Sequence, residues 1–132
     1  MADSTILNLD LQTTGANAGT WGSKTNDNLS KVENAIKGYA AVSVASSGTV
    51  SLTASSGGTG DQQSRASLKL EGSLSGNVAL ECEANPYWYF VHDASTRGGY
   101  TLTFGPAGGT PITLPYTATK YLVYTDGTTM FD

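Results

Sequence analysis

Residues 68–92 read LKLEGSLSGNVALECEANPYWYFVH, and the fold turns on how that run is parsed. Leu68 and Leu70 alternate with polar neighbours, and so do Val78, Leu80 and Cys82. Apolar residues at every second position give an extended strand one apolar face. Gly72 to Asn77, between the two sets, has the glycine and asparagine of a turn. Tyr87 to His92 is a third strand, and it breaks the alternation. Tyr87, Tyr89 and Val91 face one way, and Trp88 and Phe90 face the other. Lys120 to Thr125 repeats the pattern, with Tyr121 and Val123 opposing Leu122 and Tyr124. A strand apolar on both faces is usually covered on both. One cover is the core. The other is either a second subunit, since Tyr and Trp are enriched at interfaces, or a loop of the same chain. Ten of the 12 aromatic residues lie beyond Pro86, so an interface is expected in this half.

Working outward, Val42 with Val44 and Val50 with Leu52 mark earlier strands. Tyr100 to Phe104 and Ile112 with Leu114 mark later ones, and Asp126-Gly127 is a hairpin signal before Met130 and Phe131. Ala54 to Ser64 is a polar, glycine-rich loop, and Gly105 to Pro111 is a turn. Short strands at this spacing predict a mostly β fold, a small antiparallel β-sandwich or jelly-roll-like domain over residues 41–132. The composition agrees: charged residues are 14% of the chain and glycines number 16, a mixture suited to strands and turns.

Residues 1–40 read differently. Ile6 to Leu11 alternates as an extended segment, and Thr13 to Gly22 is a loop with one large side chain, Trp21. Ser23 or Thr25 can cap a short helix, which Gly38 stops. Leu29, Val32, Ile36 and Tyr39 follow at steps of three, four and three, a narrow seam rather than a broad core-facing stripe. A helix of about three turns is marginal alone, so it packs either on copies of itself or on its own β-domain.

The net charge is −4, and the seven Lys and Arg residues are scattered, so no nucleic acid or anionic membrane is expected as a partner. Cys82 is the single cysteine, which excludes an intrachain disulfide. No apolar run approaches the length of a membrane helix. The first residues lack the charged and apolar regions of a signal peptide. Gly22-Ser23-Lys24-Thr25 approaches a phosphate-binding loop, but Ser23 separates the glycine from the lysine and no βαβ pattern follows. His92 is the only histidine and has no catalytic partner in the pattern. Cys82 shares the apolar face of Val78 and Leu80 and reads as a core residue. Glu71, Glu81, Glu83 and Asp93 carry no spacing that pairs them for glycoside chemistry. The expectation is a non-enzyme with no catalytic residue, metal or cofactor.

The stretch Leu9 to Tyr39, LDLQTTGANAGTWGSKTNDNLSKVENAIKGY, resembles a segment that recurs at the start of fibre and other structural proteins of tailed phages, many of them marine. Its landmarks are Thr14-Gly15-x-Asn17-x-Gly19-x-Trp21-Gly22, then Ala35-Ile36 and Gly38. The β-half is similar at Val50-x-Leu52, at Arg65-Ala66-x-Leu68-x-Leu70-x-Gly72-x-Leu74-x-Gly76-Asn77-Val78 and at Val123-Tyr124-x-Asp126-Gly127. The resemblance implies a virion structural protein, assembled in the host cytoplasm and often trimeric, docked at one end and exposed at the other. A capsid decoration (cement) or head-fibre protein suits the short chain, with a tail fibre or tail-fibre adaptor as the alternative. The partners would be a major capsid protein or tail proteins. Attachment would use Leu7, Leu9, Leu11 and Trp21. Copies would meet through Leu29, Val32, Ile36 and Tyr39 and through Trp88, Phe90, Leu122 and Tyr124. A typical fibre is far longer; the clean C-terminal hairpin favours a complete small protein over a fragment. A carbohydrate-binding module stacking sugars on Tyr87, Trp88, Tyr100 or Tyr116 is a further alternative.

Overall fold

The structure is a computed structural model that describes residues 2–54, 61–115 and 120–132, with backbone alone for residues 2 and 3. A two-stranded pair, β1 (Ala2–Asp3) with β2 (Asp10–Leu11), precedes the helix α1 (Trp21–Lys37). Nine strands follow: β3 (Tyr39–Ser43), β4 (Gly48–Ser51), β5 (Ser67–Glu71), β6 (Val78–Cys82), β7 (Pro86–Asp93), β8 (Leu102–Pro106), β9 (Ile112–Thr113), β10 (Lys120–Asp126) and β11 (Met130–Phe131). They form two mixed sheets, one ordered β11-β10-β7-β5-β3 and the other β4-β6-β8-β9. The mostly β character and the short helix match the sequence reading.

The pairing does not. The expected antiparallel sandwich gives way to four parallel pairs: β3 with β5, β5 with β7, β4 with β6, and β6 with β8. Consecutive strands enter opposite sheets, so the chain climbs through successive turns, each giving one strand to each sheet. The antiparallel strands β9, β10 and β11 come last. Parallel neighbours normally need a long crossover; here the route back runs through the other sheet. Period-2 alternation fixes which side chains point inward, and it is the same whichever way the neighbouring strand runs.

The inward rows make one core. Ala40, Leu68, Val91 and Tyr121 stand in register across one sheet, and Val50, Leu80, Phe104 and Ile112 across the other. The rings of Tyr89 and Phe104 meet between the sheets at 5.7 Å. The corners stack as well: Ser75 N–H donates to Ser46 O, and Leu74 N–H to Thr96 O. Gly72 is required at such a corner, because its φ is +102° and a Cβ would lie 2.7 Å from that of Ala45.

The N-terminal segment also differs from expectation. It is not a simple extended arm: β1 and β2 turn back on each other, with Ser4 N–H bonded to Leu9 O. The helix starts at Trp21, ahead of Ser23 and Thr25, and Thr20 at its cap position makes no side-chain cap bond. Its end at Gly38 is as expected, and for a steric reason: a Cβ there would meet Asn34 O at 2.4 Å.

Adjacent residues on β8 test the inward and outward assignment. Phe104→Ala should lower the free energy of unfolding by about 3–5 kcal/mol, whereas Thr103→Ala, on the outer side, should change it by less than about 0.5 kcal/mol. Urea denaturation of both variants measures the difference.

Candidate interaction surfaces

The helix meets the rest of the chain through its polar side. Lys24, Asn28, Lys31 and Ala35 recur at steps of four, three and four, so they share one stripe. Asn28 brackets the backbone of Asp10, accepting from its N–H and donating to its C=O, both at 2.9 Å. Lys24 pairs with Asp10 Oδ2 at 3.3 Å. Lys31 is fully buried, with Nζ 3.2 Å from Asp61 Oδ2 and 3.2 Å from Asn8 O. The Ser64 hydroxyl donates to the other Asp61 oxygen. Arg65 donates to Asn34 Oδ1 at 3.0 Å, and Ala66 N–H to Asn34 O at 3.0 Å.

Asp61, Gln63 and Ser64 fall in the stretch that reads as a polar loop, yet all three are buried. Gln63 Oε1 accepts from Glu83 N–H, and its backbone carbonyl accepts from the Tyr89 hydroxyl at 2.8 Å. Residues 55–60 of that loop lie outside the described residues. No pattern of hydropathy marks these buried groups. The one available signal is the 24/28/31/35 spacing, a second stripe beside the apolar one.

The apolar stripe therefore faces out. Leu29 is 62% and Ile36 64% exposed, and Val32 and Tyr39 are exposed too. None of the described residues of the β-domain covers this seam. The surplus apolar face of the sheet has the same fate: Trp88 is 56% and Leu122 62% exposed, with Phe90 and Tyr124 alongside. No loop among the described residues covers it. Leu122 stands opposite Phe90, and Tyr124 opposite Trp88. Phe131 stacks on Tyr124 with ring centroids 4.9 Å apart.

The expected attachment residues divide. Leu11 and Trp21 are exposed, while Leu7 and Leu9 are half-buried. Ile6, Leu7, Ala35, Gln63, Arg65, Tyr87 and Trp88 surround a cavity of about 220 Å³ between the N-terminal segment, α1 and β7. The Tyr87 hydroxyl donates to Ile6 O across it, and burial pushes that hydroxyl up to about 12, opposed by the Gln63 side chain beside it. Tyr100 sits in the connection between β7 and β8, and Tyr116 lies outside the described residues.

The groups that invite a chemical reading are apart. Gly22 to Thr25 form the first turn of α1 itself, so they are not a loop around a phosphate. His92 is exposed on β7 between Lys69 and Lys120 in the paired strands. Glu83 accepts from Asn8 and Asn85. Asp93 is buried on Arg97, which also donates to Leu114 O at 2.9 Å. Among the described residues, no group of three or more His, Cys, Asp or Glu side chains is placed to hold a metal ion. No helix is long and apolar enough to cross a membrane among the described residues. No known protein family, curated protein or solved structure matches the chain.

Two measurements check these assignments. Lys31→Ala should cost about 3–5 kcal/mol, because it leaves Asp61 buried without its counter-charge. It should also speed amide exchange across residues 21–37, and Lys31→Met with Asp61→Leu should recover most of the loss. Burial pushes the Cys82 thiol up to about 11. At pH 8 the reactive thiolate is then roughly one part in a thousand, so a disulfide reagent should label Cys82 slowly in the native protein and at once in denaturant.

Proposed function

We propose that this chain is a non-enzymatic structural protein of a tailed-phage particle, displayed at the surface as a homotrimer and docked through its N-terminal segment. The role we propose first is a capsid decoration (cement) or head-fibre protein; the alternative is a tail fibre or its adaptor. The observation that carries this reading is the N-terminal segment. It is tied down by polar contacts at Asn8, Asp10 and Asn28 and turns Ile6, Leu11 and Trp21 outward. Apolar side chains held outward on a fixed frame fit capture by another protein. The resemblance of Leu9 to Tyr39 to phage structural proteins points to a virion as the place of capture. The carbohydrate reading has one feature in its favour, the exposed Trp88 among the residues lining the cavity. Tyr87 beside it is half-buried and hydrogen-bonded to Ile6, which leaves less ring face for a sugar.

Leu11→Asp combined with Trp21→Asp should leave the fold intact, since both side chains are exposed, and should remove the protein from purified particles. Mass spectrometry of particles assembled with the variant measures this. Incorporation at the unsubstituted level overturns the proposal. Immunogold labelling of intact particles separates head from tail.

A further inference from the structure

We propose that the outer face of the five-stranded sheet and the seam of α1 are one continuous surface, and that its occupant is a second copy of this chain. This deepens the reading of the chain as an assembled protein, and does not depend on its belonging to a phage.

Continuity comes from the backbone register. Tyr39 is the last residue of the seam and the first of β3. It pairs with Ser67, Ser67 with Phe90, and Phe90 with Leu122, so the helix seam runs straight into an outward row of the sheet. Where the row is interrupted by Ser67, the end of the helix is tied to it through the backbone: Ser67 N–H donates to Gly38 O at 2.9 Å, and Ala66 N–H to Asn34 O at 3.0 Å.

Size argues for a stable contact. Three exposed side chains on α1, then Tyr39, then five on the sheet contribute. At about 200 Å² for a large apolar side chain and roughly half exposure, they present on the order of 900 Å². A stable interface buries about 800 Å² per partner, and the largest apolar patch on a typical monomer is about 300–600 Å². Five of these nine side chains are aromatic, which is the enrichment of an interface centre.

Chemistry selects the occupant. Within α1, Leu29, Val32 and Ile36 keep steps of three and four, the spacing with which a helix packs against a like helix, and Tyr39 has left the helix for β3. The apolar centre around Phe90, Leu122 and Tyr124 can pack on a copy of itself, or on the next copy round a closed ring, with Lys69, His92 and Lys120 bordering it on the same outer face. The net charge of −4 disfavours an anionic membrane.

Sedimentation of the full chain at micromolar concentration tests the proposal. The protein should sediment at two or three times 13.7 kDa. Leu122→Asp and Ile36→Asp should each drop it to the mass of one chain with an unchanged circular-dichroism spectrum. Thr103→Asp, on the outer side of the other sheet, should leave the mass unchanged. A monomeric wild-type protein, or an oligomer that survives both the Leu122 and Ile36 changes, overturns the proposal. A second readout needs no charged substitution: in Trp21→Phe, acrylamide quenching of Trp88 should fall as concentration rises, and quenching independent of concentration counts against it. Incorporation into particles reads the N-terminal docking and sedimentation reads self-packing, so either can fail while the other stands.

Discussion

Each parallel turn of this chain can bury its apolar side chains only against the turn before or after it and against the facing sheet. Leu68 has Ala40 on one side and Val91 on the other; Leu80 has Val50 and Phe104. A slip of one residue in any turn would send that strand's whole inward set to the outside. The stacked corners oppose such a slip, because Gly72 fits over Ala45 and Gly76 over Ser47 with no room for a side chain. The same register that fills the core also aligns what is left outside. The outward row Tyr39–Ser67–Phe90–Leu122 is one strand position away from the inward row Ala40–Leu68–Val91–Tyr121. The exposed apolar surface is thus a consequence of the core registry, not a separate feature.

The sequence carried the strands well and their partners poorly. Leu68 with Leu70, and Val78 with Leu80 and Cys82, alternate because one side of each strand is buried, and burial is what alternation reports. It does not report direction. Short glycine-containing connections look the same whether they close a hairpin or turn a corner into the opposite sheet, so the antiparallel expectation had nothing local to correct it. The surplus on Tyr87–Val91 and Tyr121–Tyr124 was legible for the same reason as the strands. Two apolar sets on one strand need two covers, and the described residues supply one of them.

The polar contacts beneath α1 left only one trace in the sequence, the 24/28/31/35 spacing. Lys31 and Asp61 are thirty residues apart, and nothing in their spacing brings them together. Burial of such groups is a tertiary fact: it follows from the loop before β5 passing under the helix and bringing Asp61, Ser64 and Arg65 to Lys31 and Asn34. The misplaced helix start has a similar origin. Ser23 and Thr25 have capping chemistry, but Lys24 N–H already bonds to Thr20 O, so the helix has begun at Trp21, and the Thr25 hydroxyl accepts from Gln12 instead.

Those contacts explain how a helix can turn its apolar side to water. A buried ion pair adds little net stability compared with apolar side chains of the same volume, since desolvation offsets the attraction. What it adds is direction. The hydrogen bonds of Asn28 to both polar groups of Asp10, and of Lys31 to Asp61 and Asn8, are met in one rotational setting of the helix. Rotating α1 to bury Leu29 and Ile36 against the domain would leave Asp61, buried on the domain side, without its cation, a loss of several kcal/mol that apolar burial would have to exceed. The polar stripe therefore holds the seam outward, roughly 100° further round the helix, where Tyr39 carries it onto the sheet. A helix fixed in that setting presents Leu29, Val32 and Ile36 already ordered, so a partner that covers them meets a surface whose backbone entropy has been lost on folding rather than on binding.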